Sequence, residues 1–259
     1  MTLRRTPGVF IALVFALAVP FWLVGAFSGS IPGMPMELPV SALMVVCPIV
    51  AAVILLRRQD GRGATRRLLL KSLAPGGMRR TPWLVTAFLL VPAIGLVAFG
   101  LASIGGIPAG THASLLATPA LFATFFVAAA CEEAGWMGYA AEGLRQRWGA
   151  SGTGVVLGVA WGAWHLVPLV QAGRSPWWIG WWFLSTVAAR LVIVWLYDRT
   201  GRSVLSAVIF HAMLNVTQSV LPGYTSNTLL VACTALVTTA VGVALLALAP
   251  RCSAPSPTP

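Results

Sequence analysis

Apolar residues in this chain do not alternate with polar ones; they run together in long stretches separated by short polar segments. Eight stretches stand out, at residues 8–27, 38–56, 83–103, 113–133, 153–170, 177–197, 203–221 and 228–249. Each is long enough for a helix to cross a hydrocarbon layer of ~30 Å. Backbone groups in lipid must be paired within their own segment, so each stretch is expected to be helical. Prolines at 20, 48, 92 and 119 kink such helices without excluding them. The first stretch follows Arg4 and Arg5 as a signal peptide's core would, but at ~20 residues it exceeds that core and more spans follow. It reads as an uncleaved first span.

The polar segments carry a charge pattern that gives the threading. Residues 28–37 hold no base, residues 57–80 hold eight of the 17 Lys and Arg residues, and residues 105–111 hold no charge. Arg145 and Arg147 follow the fourth stretch, a lone Arg174 the fifth, Arg199 and Arg202 the sixth, and Arg251 the last, while residues 222–227 are uncharged. Basic and base-poor segments alternate, as the preference of Lys and Arg for cytoplasmic loops requires. The expected fold is all-α, a polytopic transmembrane bundle of about eight helices with both termini cytoplasmic. It forms one integral membrane domain over residues 1–259 in the cell membrane. Arg66 to Leu73 mixes basic and apolar residues, as an interfacial helix does, and its plainest reading is a loop held on anionic headgroups. The Pro-rich tail at 252–259 is expected to be disordered.

Composition agrees with this architecture and narrows the partners. Hydrophobic residues make up 58% and charged residues only 9%, with a mean hydropathy of +0.86. A soluble domain carries about a quarter charged residues. The net charge of +11 belongs to segments flanking the spans, so it does not indicate nucleic acid. The expected partners are membrane lipid and a peptide or protein substrate at the membrane; the sequence is silent on oligomeric state. Cys47, Cys131, Cys233 and Cys252 show neither a CxxC pair nor a disulfide framework.

In so apolar a chain, each ionisable residue at membrane depth is informative. Burying one costs about 3 kcal/mol on insertion scales, so such groups usually face a polar cavity and perform chemistry. Of six acids, Glu132 and Glu133 are adjacent at the end of the fourth stretch; of three histidines, His165 lies in the fifth and His211 in the seventh. His112, at an outer edge, is expected to be merely solvated. Trp161 and His165 share a helix face, as do His211 and Asn215. His165 lies ~18 Å and His211 ~12 Å along their helices from the cytoplasmic end, so the motif-bearing core at about 113–222 can form one pocket, expected to open to the cytoplasm. A carboxylate and a histidine together can deprotonate water. A histidine and a carboxamide can donate to an oxyanion. No GxSxG occurs, and no Ser or Cys sits in a triad setting. The structural alternatives are a solvated helix end for the glutamates and interhelical packing for His165, His211 and Asn215. Trp161 and Trp164 read first as packing residues that help shape a cavity, and Trp177, Trp178, Trp181 and Trp182 as an interfacial belt.

Three segments together resemble a known family. Glu132-Glu133-Ala134-Gly135-Trp136-Met137, then Trp161-Gly162-Ala163-Trp164-His165, then His211-Ala212-Met213-Leu214-Asn215 are similar to the three motifs of the CPBP family, which comprises CAAX prenyl proteases and bacteriocin-processing or Abi-type membrane proteins. The resemblance spans about residues 122–220 and implies an intramembrane glutamic-type endopeptidase without a metal or other cofactor. By position, Glu132 with His165 would activate water, His211 and Asn215 would form the oxyanion hole, and Glu133 would orient its neighbours. The family's Arg in the first motif is replaced by Met137, and Arg190 in the sixth stretch is placed to substitute for it. Three other readings stay open: a zinc hydrolase with Glu132, His165 and His211 as ligands, a non-catalytic relative that binds membrane partners or confers immunity, and a proton-coupled transporter. Against the last stands the lack of repeats and paired broken helices. Substrate and pathway are not written in the sequence.

Overall fold

The computed structural model describes residues 5–74, 81–106 and 115–248. Helix α1 spans Pro7–Phe27; a 3-10 segment Val40–Val46 runs into α2, Cys47–Asp60; α3 spans Arg62–Leu73 and α4 Thr81–Ile104. Helix α5, Thr118–Gly135, continues through one wide π turn, Trp136–Ala140, into α6, Ala141–Gln171. Then come α7, Pro176–Arg199, α8, Val204–Val220, and α9, Thr228–Ala247. No named strand occurs among the described residues, so the all-α expectation holds.

Helical structure from Thr118 to Gln171 covers 54 residues, ~80 Å at 1.5 Å per residue and far too long for one crossing. It makes two. Gly149 breaks it with φ +66°, a conformation that suits glycine alone at that ψ. The return is proved by Trp161, which hydrogen-bonds Glu132, 29 positions earlier in the chain. Counting this run twice and adding the shorter apolar helix α8 gives eight crossing segments among the described residues, in the places the hydropathy predicts. Helix α3 lies apart from them. It is more ordered than the expected headgroup loop: Ala64, Leu68 and Ser72, spaced four apart, are buried against the bundle while Arg66 and Arg67 are exposed.

The two ends of the bundle differ in the way the charge alternation anticipates. At one end the start of α1, the end of α2, the start of α6, the end of α7 and the start of α8 are tied by ion pairs: Arg5–Asp60 at 2.7 Å, Arg145–Asp198 at 2.8 Å and Arg202–Glu142 at 2.9 Å. At the other end, Arg174 joins the base-poor loops, donating to the carbonyls of Met36 and Thr225, both at 2.8 Å. The tail at 252–259, His112, Arg4 and the start of the fourth stretch lie outside the described residues.

Helix α6 meets α7 along a stripe of Gly154, Gly158 and Gly162. A Cβ on Gly158 would stand 2.8 Å from the Cα of Val187 and 3.2 Å from the Cβ of Arg190, so only glycine permits this approach. The small-residue spacing thus brings α7, and Arg190 with it, into the centre of the bundle.

Candidate active site

Successive residues of a helix diverge by about 100°, so adjacent glutamates cannot serve the same neighbours. Glu132 turns toward α6 and a cavity, and accepts the indole N–H of Trp161 at 2.8 Å. Glu133 turns toward α7 and α8; its Oε2 accepts from Arg190 at 2.7 Å and its Oε1 from Nδ1 of His211 at 2.9 Å. Glu132, Glu133, Arg190 and His211 are all buried, which overturns the solvated helix end as an account of the glutamates.

Trp161 is the hub of the cluster. Its ring faces the Arg190 guanidinium at 4.3 Å and the imidazole of His211 at 4.7 Å between centroids. Its carbonyl lies 2.8 Å from Nδ1 of His165. A carbonyl only accepts, so Nδ1 of His165 carries the hydrogen and Nε2 is left with the lone pair. Read from sequence chiefly as packing, Trp161 packs and also positions an acid and a base. Trp164 is a packing residue, buried edge-on to Trp136 at 5.9 Å and to His165 at 4.8 Å. Asn215 follows His211 by one helical turn and is half-buried on the cavity wall.

Met137 is wholly buried in the π turn, four residues after Glu133. Arg190, arriving from α7, places its guanidinium on the Glu133 carboxylate at 2.7 Å. Its Nε and Nη2 have no acceptor among the described residues.

The cavity holds about 350 Å³ and is bordered by Glu132, His165, His211 and Asn215 together with Cys131, Trp178 and Trp182. Two expectations need correction here. Trp178 and Trp182 are not belt residues: both are buried, and Trp182 stands 5.5 Å from the His165 ring, whereas Trp177 is exposed as a belt residue should be. Nor does the cavity open at the basic end. Phe10, Trp136 and Trp164 fill the bundle on that side, and the cavity runs instead toward Met34, Arg174 and Thr225 in the base-poor loops. Among the described residues no group of three His, Cys, Asp or Glu side chains is arranged to hold a metal ion.

Fold and site together define a multi-pass membrane protein whose ionisable residues converge on an apolar cavity within the bundle. Residues 113–217, the stretch that carries the three motifs, match the family model described as type II CAAX prenyl endopeptidase Rce1-like. The chain is also 27% identical over 239 residues to CAAX prenyl protease 2 of Methanococcus maripaludis, an alignment covering 84% of this chain and 86% of that protein.

Proposed function

We propose that the chain is a glutamic-type intramembrane endopeptidase whose nucleophile is a water activated by Glu132 and His165. One observation carries this reading: three helices bring Glu132, His165, His211 and Asn215 to the wall of a single cavity. Glu132, with one oxygen held by Trp161, takes a proton from water. Nε2 of His165, with Nδ1 committed to a carbonyl, accepts a hydrogen bond from that water. The hydroxyl adds to the scissile carbonyl carbon, and the oxyanion is met by the Asn215 amide and by His211 when its imidazole carries both protons. The C–N bond then breaks, and the proton held by Glu132 goes to the leaving amine. Glu133, bonded to His211 and Arg190, orients the donor half of the site.

The substrate is a peptide or protein segment at the membrane, either a lipidated C-terminus, as the name of the archaeal relative implies, or a processed precursor. Purified chain in detergent is expected to cleave members of a quenched fluorogenic peptide library without zinc and with no loss to chelators. Glu132→Ala and His165→Ala are expected to lower the rate by at least ~100-fold. Chelator-sensitive cleavage with stoichiometric zinc would replace this mechanism by a metal-dependent one. A folded wild type that cuts nothing would point to a non-catalytic relative.

A further inference from the structure

We infer that Gln218 is a further binding residue for the substrate: its side-chain amide pairs with a peptide group of the bound chain one or two residues away from the scissile bond. The inference rests on the endopeptidase reading and names a contact that the motif residues do not supply.

Helix periodicity places the residue. His211, Leu214, Asn215 and Gln218 follow one another at spacings of three and four, so they form one stripe along α8, and all four border the cavity. Gln218 lies ~4.5 Å beyond Asn215 along the helix axis at 1.5 Å per residue. An extended peptide advances ~3.3 Å per residue. A chain that lays its scissile carbonyl against Asn215 and runs along α8 therefore brings its next or next-but-one peptide group to Gln218. There the cavity meets a second, more polar one of about 220 Å³, with Met36, Gln218, Tyr224 and Thr225 on their common border. The bound chain thus has room to continue past Gln218.

Unmet hydrogen-bonding capacity gives the chemistry. Gln218 is only 8% exposed, and its amide has no partner among the described residues. Three other polar side chains on the lining are already committed. Arg174 donates to the carbonyls of Met36 and Thr225, Trp178 to that of Tyr224 at 3.0 Å, and Thr124 to that of Ala120 at 3.0 Å. An amide buried without a partner destabilises the protein, and a hydrophobic side chain of the same size would not. A peptide entering an apolar cavity has the matching deficit, because its N–H and C=O groups lose water there. A carboxamide offers both a donor and an acceptor, so it can meet both halves of a peptide unit. The contact reads the main chain of the substrate and leaves the side chain at that position open.

A cycle between enzyme and substrate tests the contact. The best-cleaved peptide of the fluorogenic library is remade with single amide-to-ester replacements at each position flanking the scissile bond, each deleting one N–H. Wild type and Gln218→Met, which keeps the length of the side chain and removes the amide, are compared in kcat and KM, with product masses confirming the site of cutting. Gln218→Met is expected to raise KM by about 3–10-fold, the worth of one neutral hydrogen bond, with kcat little changed. One ester position is expected to raise the wild-type KM to a similar degree and to add nothing in Gln218→Met, while the other positions weaken both enzymes equally. Melting should not fall, because no hydrogen bond within the protein is lost. An unchanged KM in Gln218→Met, or ester penalties that add to the mutation at every position, overturns the inference. A lowered melting temperature with an even loss across all the peptides overturns it too, as the mark of a structural role. If Gln218→Met does not accumulate, Gln218→Asn, whose amide stands one methylene short, goes through the same cycle with the same outcomes. A wild type that cuts no peptide removes the endopeptidase reading and this contact together, whereas a wild type that cuts with a flat cycle removes the contact alone.

Discussion

Removing the Arg190 guanidinium tests whether it has taken over the role of the motif arginine. Glu133 is wholly buried between Arg190 and His211, so Arg190→Met leaves an interior carboxylate with one partner in place of two. Breaking a buried pair by deleting one member costs about 3–5 kcal/mol. Set against a total stability of ~5–15 kcal/mol, the variant should fold but melt on the order of 10 °C lower. Its catalytic defect comes through His211, whose Nδ1 partner is no longer fixed. A charge-assisted hydrogen bond contributes about 1.5–3 kcal/mol, which at 1.36 kcal/mol per decade predicts a fall in kcat of ~10–100-fold with little change in KM. The decisive variant combines Arg190→Met with Met137→Arg, which moves one guanidinium from α7 to the π turn after α5 and exchanges it for a side chain of similar length. The double variant should recover at least part of both the melting temperature and kcat. Met137→Arg alone crowds two cations around one carboxylate and should be less stable than wild type. The assay is cleavage of the best peptide from the library alongside thermal unfolding in detergent. Unchanged kcat and melting in Arg190→Met, or a double variant no better than the single one, would show that Arg190 does not hold the motif arginine's role.

Trp161→Phe keeps an aromatic face, though a smaller one, and removes the N–H that holds Glu132 at 2.8 Å; kcat should fall by about tenfold, as steady-state kinetics would show. Gly158→Ala would set a Cβ 2.8 Å from the backbone of Val187, so α7 must move away, and a loss of about 1–3 kcal/mol should come with a lowered kcat as Arg190 is displaced. Gly180→Ala, where nothing lies within 4 Å of the added carbon, should leave both quantities unchanged and serves as the control.

Much of this molecule is legible in its sequence because lipid imposes so narrow a choice. An apolar run of sufficient length can only be a helix, and the eight runs fall on the eight crossing segments with ends displaced by a few residues. The same scarcity of charge exposed the candidate site: Glu132, Glu133, His165 and His211 had few competitors and sit in one cluster, and Glu132, His165 and His211 border the same cavity as Asn215. Arg190 was visible as a charge without a reason in an apolar helix, and its reason is Glu133. The Gly154, Gly158 and Gly162 spacing is also plain in the sequence, as a signal of close helix approach, but it says nothing of which helix approaches. The fate of Trp178 and Trp182 was hidden because a pair of tryptophans near a helix end fits an interfacial belt and a cavity wall equally well.

The direction of the cavity was not legible, and the reason is geometric. Counting residues along a helix gives a depth, and depth alone put Glu132, His165 and His211 within reach of the cytoplasmic side. Access depends instead on which side of the cluster is filled with atoms. Here the filling comes from Trp136, in the π turn after Glu133, and from Trp164, one residue before His165, which meet each other at 5.9 Å, while Trp136 meets Phe10 of α1 at 5.3 Å. Trp136 stands four residues after Glu132 and seven after Ala129, so it continues the buried face of α5 into the bundle. Two large aromatics within the motif segments therefore close the near side of the cluster, while Cys131, Asn215 and Thr225 border the cavity on the far side. Bulky and small side chains at neighbouring positions thus fill one side of the cluster and leave the other hollow.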